Sequence, residues 1–243
     1  MKQSYFKLLS NRCIAKSVYE MKLLGDTSGI ILPGQFVNIK IDGLFLRRPI
    51  SICDYDENSL TIIYKVVGKG TSTMSTMSEG AWLDLLVGLG NGFNITDSGK
   101  APLVIGGGVG VPPMYNLAKE LSKTGANVTA ILGFNAKDEV FYQEKFEEIC
   151  DRVYVTTVDG SVGTKGFVTD VMKNLEYSYF YTCGPYPMLK AVYDTSKTSG
   201  SFSFEEKMGC GFGVCMGCSC KTKYGNKRIC ADGPVLTKEE IIW

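Results

Sequence analysis

Histidine is absent from the 243 residues. Its absence excludes a Ser-His-Asp or Cys-His nucleophile built within the chain. It also removes the His ligands of zinc, haem and Rieske centres, and the usual proton shuttle near neutral pH. Catalysis must therefore rest on a cofactor, on a metal held by sulfur, or on another chain. An excess of one charge is lacking too: 26 Lys and Arg stand against 25 Asp and Glu. That balance argues against a nucleic-acid partner, which selects for a basic surface. Long hydrophobic runs are missing. The most apolar stretch, residues 101–118, carries four glycines and the Pro112-Pro113 pair, so no membrane span is expected. The first residues, Met1 to Phe6, lack the apolar core of a signal peptide. A cytoplasmic protein is expected, whose thiols stay reduced unless they bind metal or do redox work. The length suits one large or two modest domains, and a 44% hydrophobic fraction is enough for an ordinary core.

What the chain does have is cysteine, unevenly placed. Cys13, Cys53, Cys150 and Cys183 are scattered, whereas Cys210, Cys215, Cys218, Cys220 and Cys230 fall within 21 residues. The first three of these are spaced C-x4-C-x2-C, the plant-type [2Fe-2S] loop pattern. Gly209, Gly211, Gly213 and Gly217 would let the backbone wrap closely and adopt positive φ. Cys230 suits the fourth ligand, and Cys220 is expected to point away. A zinc site competes less well, because only Cys215 and Cys218 form a C-x2-C knuckle.

The middle of the chain alternates. Residues 101–105 read as a buried parallel strand running into Gly106-Gly107-Gly108-Val109-Gly110, with a helix over 114–123. Such a turn lets a phosphate approach the backbone at a helix N-terminus; a tight turn with no ligand is the alternative. Strands are expected at 128–133, 153–158 and 177–183, and helices at 141–150, 166–174 and 187–197. This rhythm implies a parallel sheet, whose ligands bind at the carboxyl ends of the strands. Cys183-Gly184-Pro185 falls at such an end, where Cys183 could be a cofactor contact or a buried structural thiol.

The first hundred residues differ. Six short β-rich runs, at 5–9, 18–24, 35–41, 50–53, 60–67 and 82–87, suggest a small antiparallel barrel, with one helix near 71–77. Arg47-Arg48-Pro49-Ile50-Ser51 sets guanidinium groups beside a hydroxyl. Gly68-Lys69-Gly70-Thr71 opens the helix, ready for a pyrophosphate. Each could be an ordinary turn or a solvated charge. Together, before a nucleotide-binding sheet, they suggest a dinucleotide at the domain junction.

Barrel, nucleotide-binding sheet and C-terminal [2Fe-2S] loop together resemble the ferredoxin reductase superfamily. The motifs are similar to one branch of it, the electron-transfer subunits of NAD-dependent (class 1B) dihydroorotate dehydrogenases. They include Arg48-Pro49-Ile50-Ser51, Ile63-Tyr64-Lys65, Gly70-Thr71 and Leu89-Gly90-Asn91-Gly92-Phe93. The run from Gly106 to Pro113, Asp159-Gly160-Ser161, Gly166 to Asp170, Cys183-Gly184-Pro185, Met208 to Gly211 and Cys230 to Val235 complete the match, which spans essentially the whole chain.

The resemblance implies three parts: an FAD-binding β-barrel over 1–98, an NAD-binding α/β domain over 99–202 and a [2Fe-2S] domain over 203–243. Arg48 would meet the flavin phosphates and Ser51 the isoalloxazine edge, with Pro49, Ile50, Ile63, Tyr64, Lys65, Gly70 and Thr71 completing the site. Gly107, Gly108, Gly110, Cys183 and Gly184 would face NAD. Cys210, Cys215, Cys218 and Cys230 would ligate the cluster. The implied partner is an FMN-containing catalytic subunit that oxidises dihydroorotate in pyrimidine synthesis, two copies of each chain forming a heterotetramer. Two departures stand out. The wider superfamily prefers an aromatic where Ile50 stands, and Val87-Gly88 replaces a usual Gly-Pro. Alternatives are the small subunit of a bifurcating ferredoxin:NADP oxidoreductase or of a sulfide dehydrogenase, where the loop departs from four cysteines. A zinc-stapled nucleotide-binding module is the non-redox alternative.

Overall fold

The computed structural model describes residues 1–243. Its N-terminal part is built from β1 (Lys2–Ala15), β2 (Val18–Leu24), β3 (Phe36–Ile39), β4 (Arg48–Tyr55), β5 (Ser59–Lys65), α1 (Lys69–Ser75) and β6 (Trp82–Leu89). The six strands close in the order β1-β2-β5-β4-β3-β6. Alternation drives the closure: Leu83, Leu85 and Val87 of β6 are buried with Phe6, Leu8, Val37 and Ile39, while Trp82 faces water. The first strand runs well past the expected 5–9. Irregular pairing near Leu8–Ser10 and Cys13–Ala15 extends its ladder with β2, which its polar residues 10–12 did not signal.

The second part comprises β7 (Pro102–Gly107), α2 (Val111–Lys123), β8 (Thr129–Phe134), α3 (Gln143–Glu147), β9 (Arg152–Thr157), β10 (Thr164–Lys165), α4 (Val168–Met172), β11 (Tyr179–Cys183), α5 (Tyr186–Thr195) and β12 (Gly200–Ser203). α3 is shorter than the expected helix because Tyr142 takes φ 65° at its start, a value no helix interior accepts. The chain then forms a hairpin, β13 (Ser219–Thr222) with β14 (Gly225–Arg228), and ends near β15 (Val235–Thr237).

β15 pairs antiparallel with β12, giving one seven-stranded sheet, β10-β9-β8-β7-β11-β12-β15, otherwise parallel. The chain therefore leaves the sheet at Ser203 and rejoins it at Val235, anchoring the cysteine-rich excursion at both ends. From β7 the chain first builds outward on one side, through β8, β9 and β10, and then returns to place β11 on the other side of β7. This reversal opens a crevice at the carboxyl ends of the strands. No helix is long and apolar enough to cross a membrane.

Asn91 of the Leu89-Gly90-Asn91-Gly92-Phe93 motif clamps the returning segment. Its Nδ2 donates to the Val235 carbonyl at 2.8 Å, its Oδ1 accepts from Val235 N–H at 3.0 Å, and its backbone N–H donates to Gly233 O at 2.7 Å. Asn91→Ala removes both bonds to Val235, with a longer one to the Asp232 carbonyl at 3.3 Å, and strands the backbone N–H and C=O of buried Val235. At about 1 kcal/mol per bond, a loss of about 2 kcal/mol is expected, read as a lower urea midpoint.

The departure at Val87-Gly88 is accommodated locally. Gly88 lies against the Gly29 backbone, where an added Cβ would come within 2.4 Å of the Gly29 carbonyl oxygen.

Candidate cofactor sites

Strand β4 opens with Arg48, Pro49, Ile50 and Ser51 along one cleft of about 360 Å³. Ile63, Tyr64 and Lys65 of β5 form the neighbouring wall, with Thr71 at the start of α1. Gly70 lies directly beneath the Arg48 side chain. Arg48 donates to the Leu46 carbonyl, which holds its guanidinium at the strand start. Its neighbour Arg47 serves the fold instead: it grips both carboxylate oxygens of Asp84 at 3.0 Å.

Three expected residues meet this cleft differently from a simple side-chain reading. The Tyr64 ring is buried and stacks on Tyr19, and its phenol donates to Asn11 Oδ1 at 3.0 Å, so Tyr64 offers the cleft its backbone. The Lys65 ammonium pairs with Glu139 at 3.2 Å, joining the barrel to the sheet domain. The Thr71 hydroxyl accepts from Val67 N–H and Gly68 N–H, at 3.0 and 3.2 Å, and so caps its own helix.

The opposite wall was not foreseen. Ser203, Phe204, Glu205, Glu206 and Met208 line it, with Phe36, Val109 and Pro234. These residues converge only because β12 ends beside the barrel, and a four-residue strand of serines, glycine and one phenylalanine gives little signal. Glu205 is exposed, yet it stands on the cleft wall with enough protein nearby to be partly desolvated. That desolvation raises its carboxyl above the usual range.

A second cleft, about 400 Å³, lies across the carboxyl ends of β7, β8 and β9. Gly107, Gly108, Gly133, Asn135 and Thr156 line it with Phe167 and Met188, and no Lys or Arg does. Both volumes are in the range of small-molecule sites. Gly110 does not line it. An added Cβ at Gly110 would sit 2.3 Å from the Cys183 carbonyl oxygen, so this glycine permits α2 to pack on the end of β11. Cys183 is buried, its thiol pushed up to about 12 by desolvation and then by Glu205. It and Gly184 stand behind the glycine turn, with Gly184 against Met188 and the Gly107 backbone.

The cysteine loop is organised around sulfur. Cys210 Sγ accepts from Phe212, Val214 and Cys215 N–H at 3.5, 3.3 and 3.5 Å. Cys215 Sγ accepts from Cys210 and Gly217 N–H, both at 3.5 Å. Cys230 Sγ accepts from Gly213 N–H at 3.1 Å, and Cys218 Sγ from Cys230 N–H at 3.4 Å. Burial opposes ionisation of Cys210, but these amides outweigh it and pull the thiol down to about 6. Burial and the neighbouring Cys218 push Cys230 up to about 12. Of the four loop glycines, Gly211 and Gly213 take positive φ, as does Met216.

No three ligating side chains converge on a point that could hold a single ion. Hydrogen bonds to sulfur link the cysteines in two pairs: Cys210 and Cys215 each donate a backbone N–H to the other's Sγ, and Cys230 N–H donates to Cys218 Sγ. The C-x4-C-x2-C spacing with Cys230 as a fourth cysteine is what favours two irons over one tetrahedral zinc. Cys220 belongs to neither pair and sits half-buried on β13.

Comparison with known proteins agrees with this geometry. Residues 205–242 match the iron-sulfur cluster binding domain of dihydroorotate dehydrogenase B, and residues 104–194 match the oxidoreductase NAD-binding domain. The dihydroorotate dehydrogenase B (NAD(+)) electron transfer subunit of Fusobacterium nucleatum is 47% identical, with 94% of each chain covered. The chain belongs to this family of electron transfer subunits. The counterpart from Bacillus cereus is 43% identical over 100% of this chain and 99% of its own. A solved structure of NADH-dependent reduced ferredoxin-NADP oxidoreductase superposes with a TM-score of 0.89 at 32% identity, covering 98% of this chain and 90% of that one. The ferredoxin reductase-like fold is thus established, and with it an NAD-linked oxidoreductase subunit.

Proposed function

We propose that this chain carries electrons between a catalytic dihydroorotate dehydrogenase subunit and NAD+, holding FAD in the barrel cleft and a [2Fe-2S] cluster on the cysteine loop. One observation carries the reading. Ser203 to Glu206 and Met208 form a wall of the flavin-sized cleft, and Cys210 follows two residues after Met208. A single short segment thus serves both sites.

The residues fit the groups assigned to them. Phe36, Pro49, Ile50 and Ile63 supply apolar walls for a planar ring, and Arg48 supplies a cation for phosphate. Gly107 and Gly108 expose backbone to a pyrophosphate at the entrance to α2. The lack of a cation in that cleft favours NAD over its 2′-phosphorylated form, which would bring a dianion there. A bound flavin supplies the conversion between two-electron hydride transfer and one-electron cluster chemistry. Residues 1–98, 99–202 and 203–243 would be the flavin, nicotinamide and cluster parts. Cys210, Cys215, Cys218 and Cys230 are the proposed ligands.

The partner proposed is an FMN-containing catalytic subunit, in a cytoplasmic complex of two copies of each chain. Its docking face would be the cluster loop, where Phe212, Val214 and Met216 expose large apolar side chains between the ligands. Such exposure suits an interface. Proton removal from the pyrimidine ring would occur in the partner, consistent with a chain without histidine.

Co-expression with a candidate catalytic subunit tests the assignment. A co-purifying complex should contain FMN, FAD and iron and reduce NAD+ when given dihydroorotate. A chain that shows no association and no dihydroorotate-dependent NAD+ reduction would contradict it.

A further inference from the structure

Strand β3 faces the cofactor sites with alternate residues. Phe36 lines the flavin cleft. Two residues on, Asn38 is buried, and its Nδ2 donates to the carbonyl of Cys210 at 3.3 Å. Cross-strand, Asn38 pairs with Pro49 of the Arg48–Ser51 segment on one side and with Leu86 on the other. One residue is thus a direct neighbour of the proposed flavin segment and of the first proposed cluster ligand.

The contact is close on both sides. Gly211, at φ 81°, lies so near that an added Cβ would be 2.3 Å from Asn38 Nδ2. Arg47 donates to the Asn38 carbonyl at 3.3 Å and to the Asp84 carbonyl at 3.0 Å, so the strand carrying Asn38 is itself braced. The opposite end of the amide, Oδ1, is buried with no hydrogen-bond partner. An orphaned acceptor costs stability, and a leucine of similar size would fill this apolar surface of Phe36, Leu86 and Leu89 without that cost. Packing therefore does not account for an asparagine here; the N–H directed at Cys210 does.

We propose that Asn38 is the positioning residue that sets the cluster against the flavin, by tying the Cys210 carbonyl to the barrel strand beside Pro49. The proposal rests on the flavin and cluster assignment above. Its electron-transfer consequence follows from geometry: transfer depends steeply on the placement of donor and acceptor, whereas hydride transfer to the flavin takes place in a cleft that neither Asn38 nor Cys210 lines.

The test uses the full chain with its cofactors, in the parent and in Asn38→Leu and Asn38→Asp. Leucine removes the donor at similar size; aspartate keeps the shape but turns an acceptor toward the carbonyl. Stopped-flow mixing with NADH resolves flavin reduction from cluster reduction, and electron paramagnetic resonance reports the cluster environment. The expected result is full FAD and iron content, flavin reduction at the parent rate, cluster reduction slowed at least tenfold, and altered g-values. Parent rates and an unchanged spectrum in either fully loaded variant would overturn the proposal. A parent protein without FAD or iron would instead overturn the cofactor assignment, and the two failures are distinguishable.

Discussion

Cys218→Ser is expected to abolish electron delivery beyond the flavin while leaving NADH oxidation at the flavin near the parent level. Cys218 is 2% exposed, the amide of Cys230 points at its sulfur, and Ile229 N–H donates to its carbonyl. A serine fits the space, so the loop still folds, but it offers a hard, weakly acidic oxygen in place of a soft thiolate. Loss of an outer-shell partner alone typically costs roughly 10–100-fold in metal affinity or activity, so loss of a ligand should exceed that range. Iron and sulfide should fall to a small fraction of the parent. Transfer to the partner should drop by about two orders of magnitude or more. Dye reduction at the flavin should persist, because the barrel cleft is built without Cys218. Cys220→Ser is the control: Cys220 belongs to neither thiol pair, and its iron content should match the parent. Equal iron content in Cys218→Ser, or equal loss in both variants, would contradict the ligand assignment.

Gly110→Val is expected to be the most damaging single change to the sheet domain. The added Cβ would stand 2.3 Å from the Cys183 oxygen, 2.5 Å from its carbonyl carbon and 2.6 Å from Gly184 N. All three are backbone atoms, and none can swing aside as a side chain could. β11 cannot retreat, since it is hydrogen-bonded to β7 and β12 on its two edges and every residue in it is buried. α2 cannot retreat either, because Val111, Met114, Leu117, Ala118 and Leu121 are buried beneath it. Overpacking typically costs about 1–3 kcal/mol when neighbours relax, and here relaxation is blocked, so about 3 kcal/mol or more is expected. For a chain of this size each kcal/mol lowers Tm by about 2–4 °C, so calorimetry should show a fall of about 6 °C or more. NADH affinity should fall with it, because the same turn carries Gly107 and Gly108. An unchanged Tm would mean that Gly110 is kept for a ligand and not for packing.

Much of this architecture was legible because the signals are local. Alternation in β6 and the buried run of β7 announce a barrel strand and a parallel strand. The C-x4-C-x2-C spacing announces a loop wrapped around sulfur. Boundaries were less legible where a single backbone angle decides them, as with Tyr142 ahead of α3. β12 and β15 escaped because each is short and gains its stability from the sheet edge it completes. The far wall of the flavin cleft escaped for the same reason. Ser203 to Met208, Val109 and Pro234 lie far apart in sequence and meet only once β15 returns to the sheet. Adjacent arginines are instructive. Arg47 and Arg48 are indistinguishable as letters, yet one grips Asp84 across the barrel and the other borders the cleft. Asn91 stands in the sequence only as one letter of a family motif, and in the fold it clamps the C-terminal segment.

In the proposed function, one chain connects a nicotinamide site to an iron-sulfur cluster through a flavin. Anaerobic addition of NADH to the purified chain, followed by visible and electron paramagnetic resonance spectra, tests it most directly. A bound flavin should bleach and the signal of a reduced [2Fe-2S] cluster should appear, with iron and no zinc in the protein. A colourless protein containing zinc, or a flavin that NADH reduces without any cluster signal, would contradict it.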